Sequence, residues 1–341
     1  QSRAMVRVRL ALSIGIALAV SGWAGCGERS CLRGELGCRV VAPCRSLATA
    51  CASDAALAIT TLSGAVPGGG RRDTLGSTGD VLLQNGEIEV VISGLGNQNY
   101  VDINGGAILD LRLRGQDHDA LNLIAQTTGL LPDDQAQYDT LEILDERPTR
   151  VAVQLSGRLF HHPDRRIYTL YELRGCERQV RVRTEAINGS PDAMLWALAD
   201  AYYWSGRSPV PFTPVKNGGF SHPSFDLLTI DAAYERAPYL ASTAPAGPPV
   251  SYATVSCSQS ELVGFHASQI SAAGLPKTVV LPRDYVIFER VITVAEGPGI
   301  APAIDQAMAA RAQLWGDAAA TLSGRVTAPG ASSLQLLVYE D

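Results

Sequence analysis

The sequence predicts an all-β fold, a large antiparallel sandwich with one connector helix. Three observations carry that expectation. Apolar residues alternate with period two in several separate runs, Gly, Pro, Asn and Asp punctuate the gaps between them, and only one stretch has helical spacing with end signals.

The elements follow in order along the chain. Val81-Leu82-Leu83, the pair Asn85-Gly86 and Ile88 to Ile92 make a hairpin signal, in which Asn-Gly is expected to supply the positive φ angles of a two-residue turn. Val151, Val153 and Leu155 alternate with Ala152, Gln154 and Ser156, and Val180, Val182 and Thr184 with Arg181, Arg183 and Glu185. Farther on, Val286, Phe288, Ile292 and Val294 share one phase, while Tyr285, Ile287, Glu289 and Val291 take the other. Such alternation sends one set of side chains into a core and the other toward solvent or a second layer. The segments 205–223 and 238–249 are long and rich in Pro and Gly, and are expected to cross an edge or mouth of the sandwich, where ligands are commonly held. A helix is expected near Pro302, with Ile304, Met308, Ala312 and Trp315 on one face and Gly316 as its cap, packed against the sheet as a connector. Beyond it, Leu322 to Thr327, Pro329-Gly330 and Leu334 to Tyr339 read as the first two strands of a second small β-domain, cut short of its natural end.

The amino-terminal region reads as an export signal. Met5 is the better start than Gln1, Arg7 and Arg9 form a positive region, and Leu10 to Val20 form a short apolar one. That stretch is shorter than the roughly 20 apolar residues a membrane helix requires. It runs into Trp23-Ala24-Gly25-Cys26, which resembles the lipobox of bacterial lipoproteins, although Trp23 stands where Leu is usual. The resemblance implies lipidation of Cys26, and Gly27 in place of Asp implies retention at the outer membrane. Cleavage nearby as an ordinary signal peptide, leaving Cys26 to pair, is the other reading.

Seven cysteines fit export. With Cys26 lipidated, six remain, and Cys31, Cys38, Cys44 and Cys51 crowd into one short segment. That crowding reads as a local disulfide framework with its connectivity open, while Cys176 and Cys257 remain to bridge distant strands. A zinc site would want closer pairs and a nearby His. The resulting organisation is a signal peptide over 1–25, a cysteine-rich segment and linker over 26–77, the sandwich over 78–298, the helix over 299–316 and the start of a further β-domain over 317–341.

Charge excludes one class of partner. The chain has 341 residues with 28 basic against 34 acidic ones, a net charge of −6, and its basic residues occur in ones and twos. No stripe is available to neutralise a phosphate backbone, so nucleic acid is not an expected partner.

Several longer segments carry a family resemblance. GDVLLQNGEIEVVI (79–92), NGGAILDLRL (104–113), YTLYELRGCERQVRVRTEAIN (168–188), WALADAYYWSG (196–206) and YVIFERVITV (285–294) resemble the β-supersandwich of galactose-mutarotase-like and polysaccharide-lyase-like domains. Followed by a helix and TLSGRVTAPG (321–330), which is similar to a carboxypeptidase-regulatory-like domain, the arrangement looks like the N-terminal half of exported CehA/McbA-type metallohydrolases of the PHP superfamily. The resemblance implies a catalytic metal-binding domain farther along, with this chain itself carrying no catalytic residue, metal or cofactor. Mutarotase-type catalysis uses a His acid and a carboxylate base, and no positions here match the family's His pair and Glu. Fold likeness does not transfer activity.

Three clusters hold side chains able to do chemistry. His161-His162-Pro163-Asp164 is the densest, but neighbouring strand residues face opposite sides and Pro163 prevents helical spacing, so a solvated hairpin turn accounts for it. His118 between Asp117 and Asp119 could shuttle a proton, or lie in a solvated loop. Tyr202, Trp204, Phe220 and His222 form the candidate ligand site, in which aromatic faces would stack on a sugar ring and polar groups read its hydroxyls. The competing account places the aromatics in the core. The function expected is therefore an exported, lipid-anchored scaffold sandwich. A carbohydrate-binding or sugar-acting protein is the alternative, and a structural envelope protein a second.

Overall fold

The computed structural model describes residues 42–317, except 68–73, 100, 101, 103, 130, 132, 205–209, 216–218, 220–234, 245–248, 267–269 and 298. Cys26, Cys31, Cys38, Phe220, His222, the signal peptide and the proposed tail domain lie outside the described residues.

Among the described residues two antiparallel sheets stack face to face. The first has nine strands in the order β1 (Ala58–Thr61), β2 (Val81–Gln84), β3 (Ile88–Ile92), β4 (Ile108–Leu113), β5 (Leu121–Thr127), β11 (Ala199–Trp204), β17 (Ile270–Gly274), β16 (Leu262–His266) and β13 (Glu235–Ala237). The second has eight: β12 (Val210–Phe212), β14 (Leu240–Thr243), β15 (Val250–Ser256), β19 (Tyr285–Glu296), β9 (Gln179–Asn188), β8 (His162–Arg174), β7 (Arg150–Leu159) and β6 (Ala136–Glu146). A ribbon of β10 (Met194–Trp196) and β18 (Thr278–Val280) stands apart. One α-helix, α1 (Ala301–Trp315), follows β19. The all-β expectation holds.

The core between the sheets is built by the inward phases read from the sequence. Val151, Val153 and Leu155 face Val90, Ile92, Ile108 and Ile124, with Val180, Val182, Phe288, Ile292 and Val294 completing the layer. Each fully buried aliphatic chain of this kind contributes about 1.5–3 kcal/mol relative to exposure. The opposite phases are covered as well. Val255 and Val291 lie under α1, and Leu82, Val91, Leu109 and Leu123 lie under Leu62 and Val66. Second layers, not solvent, meet much of the outward phase.

Four expectations need correction. The Asn85-Gly86 turn uses no positive φ angle. Asn85 instead is fully buried, and its Oδ1 accepts from the N–H groups of Glu87 and Ile88, both at 2.8 Å, so the side chain rather than a left-handed backbone shapes the turn. The segment read as linker is not all linker: Ala58–Thr61 pairs with Gln84–Val81 as the rim strand of the larger sheet. The segment 238–249 is not all loop, since Leu240–Thr243 joins the second sheet as β14. Finally, α1 starts and stops as read, with Pro in its first turn and Gly316 left-handed at φ 72, and Ile304 and Met308 pack partly buried on the core, but the most buried face is turned from the one expected. Ala303, Ala307, Ala310 and Arg311 turn inward while Ala312 and Trp315 are exposed, because small side chains let the helix lie close on β15 and β19.

Candidate functional site

The most heavily constructed feature is a strap at the amino-terminal side. Cys44 is bonded to Cys257 across 213 residues and Cys51 to Cys176 across 125, with Cα atoms 5.4 and 5.8 Å apart. The local framework expected for the crowded cysteines is therefore wrong for Cys44 and Cys51, and Cys176 does not meet Cys257. Each of the two near cysteines instead finds a strand end that folding brings beside it. Cys44 and Cys176 both hold positive φ, at 51 and 58, a backbone costing non-glycine residues about 1–2 kcal/mol.

Polar contacts seat the strap between its two bonds. Arg181 on β9 has no exposed surface. Its guanidinium donates to the carbonyls of Cys44 (2.9 Å), Leu47 (3.3 Å) and Ala48 (3.2 Å), and to both oxygens of Glu177 at 3.0 and 2.6 Å. A planar fork with five donors suits this task, whereas a lysine has only a point charge to offer. Gln313 of α1 accepts from Ala48 N at 3.0 Å, and Leu47 is buried beside the helix. Farther along, the Asp54 carboxylate accepts from the N–H groups of Ala56, Gly86 and Cys176 at 2.8, 2.8 and 3.0 Å. Desolvation pushes the Asp54 carboxyl up, but these three donors together with Arg114 outweigh it and hold the group below the usual carboxylate value. Sequence reading missed Arg181, Glu177 and Asp54. The available signal was Arg181 itself, a large cation in a strand whose outward phase is buried.

The predicted sugar platform is built differently from the expectation. Tyr202 and Trp204 are each 4% exposed, stacked on one another at 5.5 Å between ring centroids, with Tyr252 5.7 Å from Trp204. Tyr202 shares a hydrogen bond with Thr254 (2.5 Å), and the Trp204 indole donates to Ser271 (2.8 Å). Burial pushes the Tyr202 phenol well up. On β11 these residues alternate with Tyr203, whose phase faces outward, so the strand's own period sends them into the inter-sheet core. Among the described residues, a cavity of about 20 Å³ beside them has room for about one water.

The histidines divide. His161 sits in the β7–β8 turn with φ 61, its ring against Phe160, and is exposed, in agreement with the solvated-turn reading. His118 is not in a solvated loop: it is 8% exposed, with Nδ1 3.0 Å from Asp117. Asp119 accepts from the N–H groups of Leu111 and Leu121 at 3.0 and 3.3 Å, and so fixes backbone on both sides of the turn. Among the described residues no three His, Cys, Asp or Glu side chains are grouped to hold a metal.

A buried polar network spans the two sheets. Arg290 on β19 donates through Nε to Asp200 on β11 at 2.8 Å, through Nη2 to the other Asp200 oxygen, and through Nη1 to Thr184 (2.7 Å) and the Phe288 carbonyl (2.9 Å). Gln126 donates to Asp200 at 3.2 Å, and its Oε1 lies 3.1 Å from the Tyr138 hydroxyl and 2.7 Å from that of Tyr171. Burial pushes both phenols up, and they stay protonated donors. Gly106 closes the network, its carbonyl 2.9 Å from the Tyr171 hydroxyl. With φ +94 and the Tyr138 ring 2.2 Å from where a Cβ would stand, only glycine fits there. Buried throughout, this network joins strands of both sheets.

No family model matches the chain, and no curated protein matches it. Among solved structures it is similar to a TPR-domain containing protein from Parabacteroides distasonis, at 10% identity and a TM-score of 0.47, over 72% of this chain and 54% of that one. It thus spans about half the length of that protein. It is also similar to galactose mutarotase-like proteins from Lactobacillus casei (9% identity, TM-score 0.38, 64% of this chain and all of that one) and from Clostridium acetobutylicum (9%, 0.40, 71% and 99%). The fold assignment here rests on the strand pairing itself, an antiparallel two-sheet sandwich stapled to its own amino-terminal strap.

Proposed function

We propose that this protein is an exported, lipid-anchored β-sandwich that acts as a scaffold at the cell envelope, holding a catalytic metallohydrolase domain supplied farther along the full-length protein. The observation that carries the reading is the pair of long-range disulfides on the strap. Bonds of this kind persist in oxidising compartments and are rare in cytosol, which fits a chain that opens with a signal-like segment. Their placement supports the anchoring part. Cys44 and Cys51 follow Cys26 in the same short segment, so a chain tethered at Cys26 enters the sandwich through two covalent bonds, Arg181 and the Asp54 cap.

The test is metabolic labelling with radioactive palmitate in a double-membrane bacterial host. Label should enter the protein and vanish in Cys26→Ala, while the variant still forms both strap disulfides after export. An unlabelled wild-type protein would sink the anchor. Cysteines found as free thiols in the cytosolic fraction would sink export. Extension of the natural reading frame into a domain with an Asp-x-His-x-His metal strand would support the catalytic partner, and a frame that ends without one would remove it.

A further inference from the structure

The order of the cysteines along the chain conflicts with the order of their bonds. Cys44 and Cys51 precede both of their partners, and the bonds are nested, Cys51–Cys176 inside Cys44–Cys257. In a chain crossing a membrane from its amino end, Cys31, Cys38, Cys44 and Cys51 stand together in the oxidising compartment before Cys176 arrives. Loop closure favours near partners over far ones. By the three-halves power of loop length, closing Cys44 onto Cys51 is favoured over either native bond by on the order of 10²-fold. The seats that reverse this preference are made late: Arg181 lies beyond Cys176, and Cys257 reaches Cys44 only once β15 is placed against β19 and the N–H of Cys257 meets the Glu289 carbonyl.

We infer that this chain is a client of a thiol–disulfide isomerase, which converts Cys44–Cys51 and Cys176–Cys257 into the native Cys44–Cys257 and Cys51–Cys176. The inference rests on the export reading above. The compartment's thiol oxidase makes the first two bonds, removing two electrons for each. The isomerase thiolate then attacks Sγ of Cys51, breaking the Cys44–Cys51 bond, forming a mixed disulfide and releasing the Cys44 thiolate. Cys44 attacks Sγ of Cys257 and expels the Cys176 thiolate. Cys176 attacks Sγ of Cys51 in the mixed disulfide and returns the isomerase thiolate. Two disulfides enter and two leave, with no net oxidation.

The experiment expresses the full chain in an exporting host with and without its disulfide isomerase, blocks free thiols by alkylation, and maps bonds after non-reducing trypsin digestion. Trypsin cuts after Arg45, so Cys44 and Cys51 fall on separate peptides and their bond is directly visible. Loss of the isomerase should raise the Cys44–Cys51 product at least severalfold at the expense of both native bonds. Equal native yield in the two hosts overturns the inference and leaves export standing. Cys44, Cys51, Cys176 and Cys257 all alkylated in both hosts overturn the inference and the export reading together.

Discussion

Arg290 and Asp200 form an ion pair across the space between the two sheets, and neither side chain exposes any surface. Removing one partner strands a charge where water cannot reach it, which typically costs about 3–5 kcal/mol. Asp200→Asn is therefore expected to lower stability by about that amount in urea unfolding. The pair Asp200→Leu with Arg290→Met should recover much of the loss, because an apolar replacement removes both desolvation costs at once. A single variant within about 1 kcal/mol of wild type would show that the network does not hold the sheets in register.

The strap bonds should be worth more than any surface contact. Cys51→Ala with Cys176→Ala is expected to lower unfolding stability by about 2–4 kcal/mol, below the roughly 5 kcal/mol that chain entropy alone assigns to loops of this length. Reductant should then shift the wild-type unfolding midpoint farther than that of the variant, since the variant has one strap bond left to lose. Midpoints in the two proteins that ignore reductant would mean that the bonds do not form.

Asp110 gives a pH dependence. Its carboxylate accepts from the N–H groups of Leu75 and Gly76 at 2.9 and 3.1 Å, yet burial dominates and pushes its pKa up from 3.8 to about 6. With the folded value above the unfolded one, the group stabilises the protein fully below pH about 3.8, and that contribution fades as pH rises through about 6. Asp110→Asn should flatten the stability profile over this window. The check is the urea midpoint across pH 4 to 7, and parallel profiles for wild type and variant would refute the assignment.

Asn85 ties the β2–β3 turn to the β8–β9 turn. Its Nδ2 donates to the Arg174 and Glu177 carbonyls at 2.7 and 2.8 Å while its oxygen serves Glu87 and Ile88. Asn85→Asp keeps the acceptor and turns a second oxygen against two carbonyls, at an expected cost of about 2–4 kcal/mol near neutral pH. The deficit should shrink as pH falls and the new carboxyl gains a proton to donate. A deficit independent of pH would argue that Nδ2 contributes nothing.

Strand phases were legible because alternation is a local property. Val180, Val182 and Thr184 face inward as read, and so do Phe288, Ile292 and Val294. The position that the pattern passes over is the instructive one. Arg290 lies in the inward phase between Phe288 and Ile292, and a charge there demands a partner. Nothing local names Asp200, 90 residues away. The cysteines failed for the same reason, since spacing favours near pairs and the folded sheet supplies far ones. The helix was found from its ends, and Ile304 and Met308 do pack on the core, but the buried face centres on Ala303, Ala307 and Ala310, because close approach to a sheet rewards alanine. For the candidate ligand residues, the strand period of β11 already carried the answer for Tyr202 and Trp204: aromatic character suggested a platform, and alternation buried it.

The strap has a mechanical consequence. Cys44 and Cys51 both come before β1, a four-residue strand on the rim of the larger sheet with a single neighbour. Traction applied from the amino-terminal side passes through sulfur into the end of β15 and the β8–β9 turn, within the other sheet, before it can reach β1. The rim strand that would otherwise peel first carries no load.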